Sequence, residues 1–118
     1  MAHHNLTGQL GEKLAVDYFT KNNFEILHTN WRHSRWEVDI IASKANKLHF
    51  VEVKTRRTKN FGNPEEKVGK KKIQNLLNAA EEYLFLHPEW KMIQFDILAI
   101  TITKTDPVEY FFIEDISL

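Results

Sequence analysis

The stretch Phe50-Val51-Glu52-Val53-Lys54 sets an acid and an amine two residues apart inside an apolar run, and Glu37-Val38-Asp39 repeats that spacing with two acids. Residues two apart on a strand point the same way. Glu52 and Lys54 therefore share one strand face with Val51 and Val53 on the other, and Glu37 shares a face with Asp39, with Trp36, Val38 and Ile40 opposite. If the two segments pair as a hairpin, Asp39 comes beside Glu52. Two adjacent carboxylates repel, and burial makes their charged forms costlier still. A divalent cation relieves both costs. With no cysteine and no spaced histidine pair, the available donors are oxygens, which suit a hard ion such as Mg²⁺ or Mn²⁺. Asp39, Glu52 and the backbone carbonyl of Val53 are the expected ligands. Such an ion lowers the pKa of its water, and an ammonium such as Lys54 can orient that water or stabilise the charge gathering on a phosphate. The chemistry is hydrolysis of a phosphodiester. Taken alone, a Glu-x-Lys pair is also an ordinary ion pair on a half-exposed edge strand.

The elements that must position these groups are read from periodicity. Leu10, Leu14 and Tyr18, with Ala15 and Phe19, recur at helical spacing, so Thr7 to Lys21 is an amphipathic helix ended by Asn22-Asn23. Glu12 falls at the border of its buried face, and Gly8 and Gly11 on that side let the helix approach a sheet closely, which carries the Glu12 carboxylate toward the strands. Three extended stretches follow, Phe24 to Arg32, Trp36 to Ala42 and Leu48 to Thr55, the last two joined by the turn-like Ser43-Lys44-Ala45-Asn46-Lys47. A second helix, Gly69 to His87, buries Ile73, Leu76, Leu77, Ala80 and Leu84, and Pro88 stops it. Met92 to Thr103 and Val108 to Glu114 finish an α/β order of αβββαββ. A long helix between strands brings the next strand back parallel, so a mixed central sheet is expected, with one helix on each face.

The chain of 118 residues has room for a single domain, residues 1–118. Sixteen basic and sixteen acidic residues cancel. They are not evenly spread: Lys54 to Lys72 holds eight basic residues against two acidic ones, a local surplus able to attract a polyanion. The absence of cysteine excludes disulfides and thiolate zinc sites and fits a reducing cytosol. No run reaches the ~18 apolar residues of a membrane span, and the first residues lack the pattern of a secretory signal. A cytoplasmic protein with no membrane partner is expected.

Gly8-x-x-Gly11-Glu12, Glu37-Val38-Asp39-Ile40-Ile41, Phe50-Val51-Glu52-Val53-Lys54-x-Arg56 and Phe95-Asp96 together resemble the YraN-like family of small bacterial proteins, from about Asn5 to Ile102. That family is similar to archaeal Holliday-junction resolvases and to the PD-(D/E)xK nuclease superfamily. The resemblance implies a restriction-endonuclease-like core, metal binding by Asp39 and Glu52, and Lys54 as the catalytic lysine. It implies that Glu12 is the first-helix acid that helps hold metal or its water, and it loosely matches Gln74 to a polar residue of the second helix. One departure is Trp36, where the family usually has glycine. The expected activity is endonucleolytic cleavage of structured or branched DNA, with Arg56, Arg57, Lys59, Lys70, Lys71 and Lys72 contacting phosphates and positioning rather than reading sequence. Two other readings use the same residues: a nucleic-acid-binding module without catalysis, and a protein-interaction scaffold whose strand Val108 to Ile113 pairs with another chain, a homodimer included. His28, His33, His49 and His87 show no ligand spacing, and His49 faces away from Glu52. Asp96, inside an apolar strand, must be hydrogen-bonded or paired with a basic group. Phe61, Trp31 and Trp36 are candidates for stacking on unpaired bases.

Overall fold

Apolar residues at three- and four-residue intervals wind two segments into helices, and β-branched and aromatic runs extend five others. The computed structural model describes residues 6–57 and 69–116. Its elements are α1 (Leu6–Lys21), β1 (Glu25–His33), β2 (Trp36–Lys44), β3 (Lys47–Arg56), α2 (Lys70–Leu86), β4 (Ile93–Thr101) and β5 (Glu109–Ile113), the expected order. Much of the basic stretch 54–72, including Lys59, Phe61, the turn expected at 63–66 and Lys67, lies outside the described residues.

α1 ends where Asn22 donates from its backbone N–H and its side-chain amide to the Tyr18 carbonyl, and Asn23 takes a left-handed φ of 68°. Asparagine tolerates that conformation better than most residues, so the pair reverses the chain directly into β1. The β2–β3 turn is tighter than the five-residue stretch suggests. Lys44 pairs with Lys47, leaving only Ala45 and Asn46 in the turn, at φ 53° and 64°. Two successive positive φ values match the right-handed twist of the strands they join.

The five strands stand in the order β1-β2-β3-β4-β5. β3 and β4 are parallel and every other pair antiparallel. The parallel pair requires the crossover that α2 supplies. Two cores result, one on each face of this mixed sheet. α1 packs with Ile40, Ala42, Val51, Leu98 and Ile100, whereas α2 packs with Ile41, Leu48 and Phe50.

The buried stripe of α1 is Gly11, Ala15 and Phe19, rotated from the Leu10-Leu14-Tyr18 line read from sequence, and Leu10 is 42% exposed. The cause is close approach. A methyl group at Gly11 would overlap the Thr55 hydroxyl and stand 3.1 Å from Thr55 Cβ, so only glycine lets the helix seat on β3. On α2 the buried residues are Leu76, Ala79, Ala80 and Tyr83, while Ile73 and Leu84 are half-buried. Trp36 and Val38 pack in the α2-side core and not with Ile40, correcting the expected alternation along β2. The strand's regular pairing with β3 stops at Ile40–Val51, and alternation fails where that ladder ends.

Candidate metal centre and nucleic-acid interface

The pairs Lys44–Lys47, Ala42–His49 and Ile40–Val51 run down the hairpin from its turn. At the end of that register Asp39 comes beside Glu52, whose side chain lies on the α2 side with Ile41 and Phe50. Beyond Ile40 the strands part. The Val53 amide, which a regular ladder would bond to the backbone of β2, donates instead to Asp39 Oδ2 at 2.8 Å. A strand residue's N–H and C=O point to the same neighbour, so the Val53 carbonyl faces the same gap.

Glu52 is 5% exposed and Asp39 half-buried. Burial first, and then the charge of Glu52 beside it, raise the Asp39 pKa from 3.8 to about 7, against the opposing pull of the Val53 N–H and Lys72. Two acids that resist ionising together are what the expected hairpin register demanded.

The sequence alone did not disclose the group that compensates them. Lys72, in the first turn of α2, reaches Glu52 Oε2 at 2.7 Å. Burial works to lower its pKa, but Glu52, Asp39 and Glu37 prevail and raise it above the ordinary lysine value. The signal was present in Lys70-Lys71-Lys72. Three cations at a helix N-terminus oppose the helix dipole, and Gly69 adds no side-chain cap, so an arrangement that costs helix stability needs anions in front of it. Lys72, expected on phosphate, is thus turned onto a carboxylate, while Lys70 and Lys71 are exposed.

Lys54 alternates with Glu52 onto the α2 side and is half-buried, and its ammonium makes no ion pair with a described residue. Glu12 is not brought onto the Asp39–Glu52 pair by any described contact. Asn30 Nδ2 donates to its Oε1 at 3.1 Å. Asn30 lies between the pairs Thr29–Ile40 and Trp31–Val38, hence across β2 from Asp39, at a positive φ of 51°. Its Oδ1 is buried without a partner among the described residues. Glu12 is therefore held one strand away, beside a shallow cavity of about 460 Å³. Among the described residues, no three His, Cys, Asp or Glu side chains form a ligand group.

Of the basic residues, Arg56 donates to Thr101 Oγ1 at 3.0 Å and Arg57 to Thr7 Oγ1 at 2.7 Å, which ties the end of β3 to β4 and to the start of α1. Gln74 is exposed and donates to Asn78. Trp31 stacks on His33 and meets Tyr83 edge-on, so it packs within the fold. Trp36 is half-buried, with its Nε1 unpartnered among the described residues and Arg35 5.9 Å over its ring. Asp96 is fully buried and accepts from Gln94 and the Asp115 amide, with His49 Nδ1 at 2.7 Å.

Comparison with known sequences adds kinship. The profile described as "Uncharacterised protein family UPF0102" matches residues 11–100. A UPF0102 protein of Flavobacterium psychrophilum is 45% identical over 100 residues, covering 85% of this chain and 84% of its own length. One of Christiangramia forsetii is 45% identical over 104 residues, with 88% and 87% covered, and one of Dictyoglomus thermophilum is 41% identical over 102 residues, with 86% of each covered.

Proposed function

We propose that this chain, which belongs to the UPF0102 (YraN-like) family, is a metal-dependent endonuclease of restriction-endonuclease-like type acting on structured or branched DNA. The observation that carries the reading is the Asp39–Glu52 pair at the point where β2 parts from β3, two carboxylates offset by Lys72 alone among the described cations that touch them. The donor set fits a hard divalent ion: Asp39, Glu52 and the Val53 carbonyl offer oxygens on one side of the gap and leave the remaining positions to water. Mg²⁺ or Mn²⁺ held there supplies an acidified water and a positive charge against the phosphate.

The chain's own residues do the rest. Asp39, fixed by the Val53 N–H, presents its oxygen in one orientation. Lys54, on the same face, orients the attacking water or neutralises charge on the phosphate. Glu12, anchored by Asn30, stands behind Asp39 as the acid that holds outer water. Arg56, Arg57, Lys59, Lys70 and Lys71 clamp the phosphate backbone while Lys72 stays on Glu52, and the positive end of α2 adds to their pull.

That no three acids or histidines form a ligand group among the described residues favours one second reading, a binding module that grips nucleic acid and does not cut it. One experiment separates them. A four-way junction and single-stranded DNA are incubated with Mn²⁺ and the wild type, Asp39→Asn and Lys54→Ala. The nuclease reading expects cleavage by wild type, at least a hundredfold loss in both variants, and junction binding retained by both. Binding without cleavage by any of the three establishes the module, and in either case Arg57→Ala and Lys71→Ala each flatten the salt dependence of binding by about one charge.

A further inference from the structure

On the opposite face of the sheet from Asp39 and Glu52, a cavity of about 410 Å³ opens between the end of α1, the β2–β3 turn and β5. Its floor is His49, which is 5% exposed. The ring is fixed by a buried network: Nδ1 lies 2.7 Å from Asp96 Oδ2, whose other oxygen accepts from Gln94 Nε2 and the Asp115 amide. Nδ1 is spent on Asp96, and Nε2 is the ring nitrogen left over. No described group bonds it. His49 thus lines a space large enough for a ligand.

The rim is cationic. Lys44 Nζ is held by the Asn22 carbonyl at 2.9 Å and lies 4.9 Å over the Phe24 ring, and Lys47 Nζ bonds Gln94 Oε1 at 3.2 Å. All three of these partners line the same cavity, as do both lysines, against the single lining acid Glu114. Phe24, Phe112 and Tyr18 supply aromatic surface. The combination asks for a ligand with an anionic group for the lysines, a hydroxyl that donates to His49 Nε2, and a flat apolar body for the aromatic wall.

We propose that this cavity binds a phosphorylated, hydroxyl-bearing ring compound of the mononucleotide class, with Lys44 and Lys47 on its phosphate and His49 on a sugar hydroxyl. The site is separate from the metal centre and does not depend on it. Two sources share the chemistry: a free mononucleotide, and the 5′-phosphorylated end of a strand.

The test is calorimetric titration of adenosine 5′-monophosphate, adenosine, inorganic phosphate and a 5′-phosphorylated trinucleotide, with amide NMR to locate the contact. Saturable 1:1 binding of the monophosphate, with shifts confined to residues 18–24, 44–49 and 112–114, is expected. Lys44→Ala and Lys47→Ala, both at exposed or half-buried positions that leave the fold intact, are each expected to weaken it about tenfold. His49→Gln is expected to weaken it further, with a thermal melt to confirm folding. Equal affinity for the trinucleotide assigns the cavity to strand ends, and affinity weaker by about tenfold or more assigns it to free nucleotide; both support the proposal. It is overturned if no saturable binding occurs, if adenosine or inorganic phosphate binds as tightly as the monophosphate, or if the lysine variants bind unchanged. Asp39→Asn must bind the monophosphate like wild type, so loss of cleavage and loss of this site are read independently.

Discussion

Asp39 ionises at a cost to the metal-free fold. Its pKa is about 7 in the folded protein against 3.8 for an unperturbed aspartate. Well below pH ~4 both states hold the proton and the protonated side chain carries no penalty. As pH rises toward 7 the unfolded chain releases a proton that the folded one keeps, so stability falls across that window. Urea unfolding of wild type and Asp39→Asn at pH 4, 5.5 and 7.5 should show the wild type losing ground to the variant as pH rises, and saturating Mn²⁺ should close the gap. Lys72 works from the other side. Replacing it by methionine leaves the buried Glu52 without its counter-ion, and since Lys72 itself is 55% exposed the loss should be about 1–2 kcal/mol in a thermal or urea melt. The same variant should bind Mn²⁺ about tenfold more tightly by calorimetry, because the ion no longer competes with a resident ammonium. Asp39, Glu52 and Lys54 were legible from a two-residue spacing in apolar surroundings. Lys72 and Asn30 were not: the Lys70-Lys71-Lys72 run calls for anions without naming Glu52, 20 residues away, and a positive φ in mid-strand leaves no local pattern.

At the level of elements, the seat of α1 on β3 rests on Gly11. Gly11→Ala forces the added methyl into the Thr55 hydroxyl, and the helix must lift or Thr55 rotate. A loss of about 1–3 kcal/mol is expected in denaturant unfolding. Thr55→Ala in the same chain removes the overlapping hydroxyl and should restore part of that stability, since the approach to Thr55 Cβ remains. Element order, the parallel return through α2 and the placement of helices on both faces could be read from periodicity and connection length alone. The face of α1 was read only in part, with Ala15, Phe19 and the close approach at Gly11 named but Leu10 wrongly taken as buried. Hydrophobicity ranks Leu10 above Gly11, whereas close packing against β3 selects the residue with no side chain. Along β2 the same limit applied to Trp36 and Val38: a period of two holds only while the ladder is regular, and this one ends at Ile40.

The whole molecule keeps its charge neutral by segregation, and its cations collect where β3 ends and α2 begins. No described helix is long and apolar enough to cross a membrane. β3 serves both faces at once, with His49 turned to one and Glu52, three residues on, to the other. The sheet thereby keeps a mononucleotide-sized cavity and an acidic pair from sharing solvent. The parting of β2 and β3 also bears on which ion the molecule can select. With Oδ2 committed to the Val53 amide, Asp39 offers its other oxygen singly and is a poor chelator. A coordination sphere built from monodentate donors and water suits a small octahedral ion and starves a large one that seeks seven or eight oxygens. In a competition titration Ca²⁺ should therefore displace Mn²⁺ only at large excess, and the selectivity should collapse in Asp39→Glu, whose longer arm releases the amide and frees both oxygens for the metal.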